Sequence, residues 1–399
     1  MHVIGNKELD YELLSVGLQC LWICGAWCLL TSLGVPRRHH LRSLIFLVFS
    51  GFLFYNSVYT WPKLLAAACM LFIFSIVIDV IRNRNPITYF QTVLAAMCLG
   101  LSLMAHPGSA FSLAALALIF FSRFRGLFPY RRLLIGLLVL MAYVLPWTAY
   151  QKFVDPPGNR LIKMHIAGEY DIDSRSAWRG IRDAYKDHTV IQIIRFKLSN
   201  IALLIGRKPL DTFGIADWSL LSGLHVDRHS AENSRIAQRE WIWNAVGLLN
   251  VGWLAGLFIV SRRRKEQLAI PLSGWLIAAA LINLAFWSLI TFGPNETVTT
   301  HSSYADIILL SVGLLGFLLT TSQLVYFSLL ALQIFNFFVI WVWSPSSSSG
   351  SASDVIASSL QFPFLLVGGL VTVAMIWFAT GNANRGSATG ERPGLSAAT

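Results

Sequence analysis

Long apolar runs separated by short polar connectors organise this chain. The runs lie near residues 12–34, 41–58, 63–81, 88–106, 108–122, 133–150, 240–261, 268–291, 303–321, 323–343 and 355–379. About 17 to 25 consecutive apolar residues suffice to cross a hydrocarbon core of about 30 Å as an α-helix. A closed β-barrel would instead alternate apolar and polar positions, and these runs do not. The pattern predicts an all-α polytopic membrane protein with about eleven transmembrane helices.

One polar block, from Tyr150 to Arg239, interrupts this pattern. It divides the chain into an N-terminal membrane bundle (1–150, about six helices), a mostly helical extracytoplasmic block (151–239), a C-terminal membrane bundle (240–380, about five helices) and a tail (381–399). The tail is rich in Gly, Ser, Ala and Asn and is expected to remain disordered in the cytoplasm. The connectors Pro36 to His40, Arg82 to Arg84, Arg123 to Arg132 and Arg262 to Lys265 are short and basic, which places them on the cytoplasmic side. The block carries basic residues too, but long translocated segments escape that rule, so it faces outward. This topology puts Met1 to Tyr11 outside. Two readings of that start stay open: plain insertion with the N-terminus outside, or the lack of an ancestral first helix and its outer loop.

Composition supports the membrane assignment. Of 399 residues 55% are apolar and 13% charged, with a mean hydropathy of +0.60, too few polar groups to cover a water-soluble globule. A net charge of +11 would suggest nucleic acid in a soluble protein. Here the arginines cluster between spans as topology signals, so no nucleic-acid partner is expected. Cys20, Cys24, Cys28, Cys69 and Cys98 all fall in predicted spans, the first three along one helix face. They read as small apolar groups, with metal or disulfide chemistry the minor alternative. No metal-ligand spacing and no glycine-rich phosphate loop stand out, and no metal or cofactor is expected.

Ionisable groups at membrane depth are costly and therefore mark function by default. Lys63 follows Pro62 at a helix start on the outer face, where free N–H groups and the helix dipole favour an anion such as phosphate. The alternative is a lysine snorkelling to the interface beside Trp61. His106, in His106-Pro107-Gly108, closes an outer turn, either as a donor to a phosphate or sugar hydroxyl or with a structural partner only. After the rigid Pro156-Pro157-Gly158 turn, Arg160, Lys163 and His165 return toward the membrane; Arg160 suits bidentate and Lys163 point-charge contact with phosphate. Ordinary solvated loop charges are the competing reading. Asp171, Asp173, Arg175, Arg179, Arg182, Asp183 and Lys186 read as a solvated helix face. Thr189 to Gly206 reads as an amphipathic helix lying along the outer interface or packed on the bundle. His301, Tyr304 and Asp306 gather at another outer helix start, where a ligand or a plain Ser302 or Ser303 cap would serve.

These strings resemble the polytopic GT-C-type glycosyltransferases, the group containing protein O-mannosyltransferases and lipid A aminoarabinose transferase. The resemblance rests on Tyr-Thr-Trp-Pro-Lys-Leu-Leu-Ala-Ala at 59–67, His-Pro-Gly at 106–108, Pro-Pro-Gly-Asn-Arg-Leu-Ile-Lys at 156–163 and His-Ser-Ser-Tyr-Ala at 301–305. It covers most of residues 10–345. It implies a bacterial inner-membrane enzyme with its C-terminus cytoplasmic, a polyprenyl-phosphate-linked sugar as donor, and a glycan, lipid or protein as acceptor. It further implies inverting transfer, in which a carboxylate takes the acceptor proton and cations stabilise the leaving phosphate. Lys63, His106, Arg160, Lys163, His165, His301 and Tyr304 would then bind the lipid phosphate or sugar. The family carries its acid in the first outer loop. Of that loop only Met1 to Tyr11 corresponds here, which leaves Glu8 and Asp10 as the candidate catalytic carboxylates, outside any family motif. A transporter or flippase of lipid-linked sugars, or a catalytically incomplete membrane protein of this type, are the alternative readings.

Overall fold

A computed structural model describes residues 7–58, 62–122, 124–154, 160–169, 171, 173–205, 269–293 and 304–318, with residues 326, 327, 330, 331 and 334. No strand occurs among the described residues, in keeping with the all-α expectation. The helices are α1 (Lys7–Gln19), α2 (Trp22–Ser32), α3 (Arg37–Val48), α4 (Gly51–Val58), α5 (Lys63–Asn83), α6 (Tyr89–Ala105), α7 (Leu113–Phe121), α8 (Tyr130–Phe153), α9 (Arg160–Ala167), α10 (Ala177–Lys186), α11 (Val190–Ile205), α12 (Ala269–Ile290) and α13 (Tyr304–Leu318). Short 3-10 turns, η1 (Pro107–Ser112) and η2 (Arg125–Leu127), precede α7 and α8. Among the described residues, four stretches are long and apolar enough to cross a membrane: Leu13–Ser32, Lys63–Asn83, Tyr130–Phe153 and Leu272–Ile290. Shorter apolar helices run over Tyr89–Ala105, Pro107–Ile119 and Tyr304–Gly316.

The apolar runs do not all become single rods. The run 12–34 is interrupted at Cys20 and Leu21, where Leu21 N–H bonds Leu18 O at 3.2 Å and Ile23 N–H bonds Cys20 O at 3.0 Å in tighter i to i−3 turns. Cys20 lies in this turn and is buried, Cys24 and Cys28 on α2 are half-buried, and none of the five cysteines is in a disulfide. The run 41–58 is split into α3 and α4 by a turn at Phe49 and Ser50. The predicted spans 240–261 and 355–379, most of 323–343, and the tail lie outside the described residues.

Helix α5 is the axis of the core. Its residues Leu64, Met70, Leu71, Phe74 and Val77 are buried against α2, α6 and α13. Close approach of α2 depends on Gly25, where a Cβ would lie 2.9 Å from that of Leu71. Gly100 does the same for α6 against α8, since its Cβ would lie 2.8 Å from Tyr143 Cβ. The end of α6 is tied to the start of α5 by Ser102, whose hydroxyl donates to Ala66 O at 2.9 Å. Helices α12 and α13 pack together and against η1, α5 and α7. One end of the bundle therefore gathers the start of α5, the α6–η1 corner, the end of α12 and the start of α13.

Part of the polar block closes over that end. Phe292 N–H bonds His165 O at 2.8 Å, fixing α9 to the segment after α12. Gly168, at φ +70, makes the turn out of α9, and its missing side chain leaves room for the Phe292 ring. The amphipathic segment 189–206 forms α11, whose Asn200 donates to Ser288 O at 3.1 Å and Thr291 O at 2.9 Å. Lys197 adds a bond to Thr291 O at 2.6 Å. The terminal carbonyls of α12, which a helix leaves without internal partners, are thus capped from α11.

Candidate anion site

Lys63 is the first residue of α5 and only 3% exposed. Its Nζ donates to Tyr304 Oη at 3.3 Å and lies 5.2 Å from the centre of the Tyr304 ring. That ring is itself stacked on Phe52 at 4.9 Å, so the phenol has a fixed seat. The contact joins residues 241 positions apart.

His106 is the extended residue at which α6 stops and η1 begins. Its Nδ1 accepts the Gly108 N–H at 3.2 Å, and the Ser109 hydroxyl donates to its carbonyl at 2.8 Å. With Nδ1 an acceptor, the neutral ring carries its proton on Nε2. Burial, then the Lys63 ammonium, then His165 push the His106 pKa down to about 3. His165 is pushed down to about 4 by burial and then by Lys63. The mutual influence identifies Lys63, His106 and His165 as neighbours. The His165 ring meets Trp287 edge-on at 5.3 Å, and Trp287 meets Phe111 at 3.8 Å. The His165 Nδ1 is buried and has no hydrogen-bond partner among the described residues.

At neutral pH this cluster offers an ammonium, a phenol and two uncharged imidazoles in a largely buried place. An oxyanion suits such a set, because hydrogen bonds to charged groups strengthen where water is scarce. With values of about 3 and about 4, both imidazoles are weak bases at neutral pH and serve as hydrogen-bonding groups.

Several sequence expectations are redirected by the packing. The anion was expected at the free N–H groups of the α5 terminus, but Gln19 occupies them: its Oε1 accepts the Leu64 and Leu65 N–H groups at 2.9 and 3.1 Å. The Lys63 and His106 side chains, not the helix end, supply the polarity. Lys163 is 1% exposed and its ammonium pairs with Asp173, with further bonds to the carbonyls of Asp173 and Arg175 at 3.2 and 3.3 Å. It anchors the segment after α9 instead of joining Lys63. Asp173, Arg175 and Asp183 are not a plain solvated helix face either. Arg175 bridges Glu169 and Asp173, each at 2.7 Å, and Asp183 at 3.3 Å, before α10 begins. Lys163 and Arg175 hold the Asp173 carboxyl well below its usual range. Arg160 is exposed at the start of α9. His301 and the side chains of Glu8 and Asp10 lie outside the described residues.

The packing also reveals a polar node that spacing alone did not show. Asp306, 1% exposed, accepts from Ser112 Oγ at 3.0 Å and from Asn283 Nδ2 at 2.8 Å. Asn283 Oδ1 in turn accepts the Ala115 N–H at 2.8 Å. The node ties η1, α7, α12 and α13 beneath the cluster. Asn283 lies one turn from Trp287, and Asp306 two residues from Tyr304. The sequence signal was a carboxylate and an amide inside apolar runs.

No protein-family profile, curated protein or solved structure matches this chain.

Proposed function

We propose that this chain is a membrane glycosyltransferase of about eleven spans that moves a sugar from a polyprenyl-phosphate donor to an acceptor on the extracytoplasmic side of the bacterial inner membrane. The observation that carries this reading is the convergence of Lys63, His106, His165 and Tyr304 from four separate parts of the chain at one buried place. Lys63 and the Nε2–H of His106 would contact the donor phosphate. As the acceptor hydroxyl or amine attacks the sugar C1, its proton passes to a base and the bond between C1 and the phosphate oxygen breaks. The electron pair leaves with polyprenyl phosphate, whose charge grows as the bond breaks. Cationic and N–H donors aimed there stabilise the transition state more than the ground state. Glu8 and Asp10 are the proposed carboxylate bases.

The test is release of polyprenyl phosphate when purified protein meets labelled polyprenyl-phosphate sugars and a panel of glycan, lipid and protein acceptors. No release across the panel would overturn the transferase reading. Lys63→Met should weaken polyprenyl-phosphate binding about tenfold to a hundredfold, the worth of one hydrogen bond from a charged group. Unchanged affinity would return Lys63 to interfacial anchoring. One observation favours transport of lipid-linked sugars instead: the carboxyl group of Asp306 is buried in the first turn of an apolar helix, and buried ionisable groups in such helices mark transport pathways. Movement of an intact lipid-linked sugar across proteoliposomes, without cleavage, would select that reading.

A further inference from the structure

A second site lies along the middle of α5, away from Lys63. A partly open cavity of about 320 Å³ sits between α5, α6, α7 and α8, lined by residues such as Ile73, Ile87, Leu99, Leu116, Leu133 and Leu140. The polar atom of its one hydroxyl-bearing residue, Thr92, is already used, for its hydroxyl donates to Thr88 O at 2.8 Å. The lining therefore asks for no hydrogen bond, and any polar occupant would lose its own. From Leu133 to Leu140 on α8, or Thr92 to Leu99 on α6, the cavity runs about 10 Å along the helices at 1.5 Å per residue. That is most of the roughly 15 Å depth of one leaflet's hydrocarbon. Its dimensions suit a single lipid chain.

The chain around one lining residue, Ile87, is basic. Three segments meet at Ile87: its N–H bonds Leu127 O at 2.9 Å, and Arg132 Nη1 bonds its carbonyl. They bring Arg84, Arg125, Arg131 and Arg132 to one place, in sequence stretches 82–89 and 124–133 that contain no acidic residue. None of the four has a carboxylate partner among the described residues. Arg131 meets the Tyr130 hydroxyl at 3.1 Å, Arg132 lies over the Tyr89 ring at 5.2 Å, and Arg84 and Arg125 are exposed. The nearest acid along the chain, Asp79, accepts from Asn83 Nδ2 at 2.9 Å.

We propose that this site binds an anionic phospholipid, with one acyl chain in the cavity and its phosphate on the arginines beside Ile87. Planar guanidinium groups match phosphate oxygens in pairs, and an anionic head group distinguishes this occupant from the zwitterionic lipid that any apolar cleft would accept. The proposal is independent of the Lys63 cluster: along α5 the cavity residues Ile73 to Val77 lie about 15–21 Å from Lys63, and Arg84 about 30 Å.

The test compares phosphatidylglycerol with phosphatidylcholine of the same chains, added to purified full-length protein. Retention is read by native mass spectrometry and stabilisation by thermal unfolding. Wild type should retain phosphatidylglycerol preferentially. Arg125→Gln with Arg131→Gln, both exposed positions, should reduce that preference about tenfold to thirtyfold, at roughly fivefold per basic residue near an anionic head group. The same pair should leave phosphatidylcholine retention unchanged. Ala95→Phe, which fills the cavity, should lower retention of both lipids. Equal retention of the two lipids by wild type, or an undiminished preference in the arginine double variant, overturns the proposal, as does unchanged retention in a folded Ala95→Phe protein. Should Ala95→Phe not fold, the wild-type and arginine comparisons decide.

Discussion

Asp306 provides a sharp test of how this bundle is held together. In Asp306→Ala the Ser112 hydroxyl and the Asn283 amide both lose their acceptor. Ser112 can rotate toward a carbonyl of its own 3-10 turn, whereas Asn283 cannot turn away without releasing the Ala115 N–H that its Oδ1 accepts. One buried amide donor left unsatisfied costs about 1–3 kcal/mol, and the lost bonds to a carboxyl group bring the expected destabilisation to about 2–4 kcal/mol. Asp306→Asn behaves differently. Its Oδ1 can still accept from Asn283 and its new Nδ2 can donate to Ser112 Oγ, so every atom of the node keeps a partner. No charge then has to be buried, and the change in stability should stay within about 1 kcal/mol. Unfolding titrations of the purified protein in mixed micelles, with both variants beside wild type, measure the difference. If Asp306→Asn loses as much as Asp306→Ala, the carboxyl group itself is required and hydrogen bonding alone does not hold the node. If Asp306→Ala loses nothing, the node does not bear on stability.

Three further outcomes are expected. His106 and His165 are held neutral, at about 3 and about 4, while the unfolded chain titrates near the ordinary 6.5. The unfolded state therefore binds more protons below pH 6.5, and stability falls with pH until the folded values are reached. Over pH 6.5 to 5 the loss should be about 1.6 kcal/mol for each ring, since the unfolded ring is half protonated at pH 6.5, and His165→Phe should remove about half of the slope in unfolding measured across that range. Gln19→Leu should cost about 0.5–2 kcal/mol, as loss of a helix N-terminal acceptor does, and should speed hydrogen exchange at Leu64 and Leu65 without affecting the far end of α5. Gly100→Ala should cost about 1–3 kcal/mol by thermal or denaturant unfolding, because its Cβ would lie 2.8 Å from both Cβ and Cγ of Tyr143 and one helix must move.

Reading by run length succeeded where a segment's fate is decided locally. The helices over 63–83, 130–153 and 269–290 answer to apolar runs recognised from the chain alone, and the amphipathic segment 189–206 does form a helix. It was less successful where neighbours intervene. Nothing in the apolar run 41–58 announces the turn at Phe49 and Ser50, and hydropathy does not resolve a 3-10 start such as Pro107–Ser112. Candidate residues divide in the same way. Lys63, His106, His165 and Tyr304 were all legible as outward-lying polar groups beside helix ends, but Lys163 was grouped with them although its ammonium pairs with Asp173. Lys163 and His165 are only two positions apart, and on so short a helix that separation sends them to different partners. Gln19, an ordinary polar residue near a predicted span, carried no signal of its capping role.

The chain's membrane-spanning helical class follows from composition and run length, because hydrocarbon leaves backbone N–H and C=O groups no partner but each other. That demand is met within each segment, so it can be read without knowing where the segment goes. The identity of the polar cluster is a different kind of fact. Whether the ammonium at residue 63 meets a phenol at 304, and whether Gln19 or a ligand receives the N–H groups of α5, depends on contacts between distant residues. Packing alone settles those contacts, through close approaches such as Gly25 on Leu71 and ties such as Ser102 to Ala66. The tertiary structure thereby turned a list of outward-lying polar side chains into one buried cluster, with a carboxyl node beneath it and an apolar cavity further along α5.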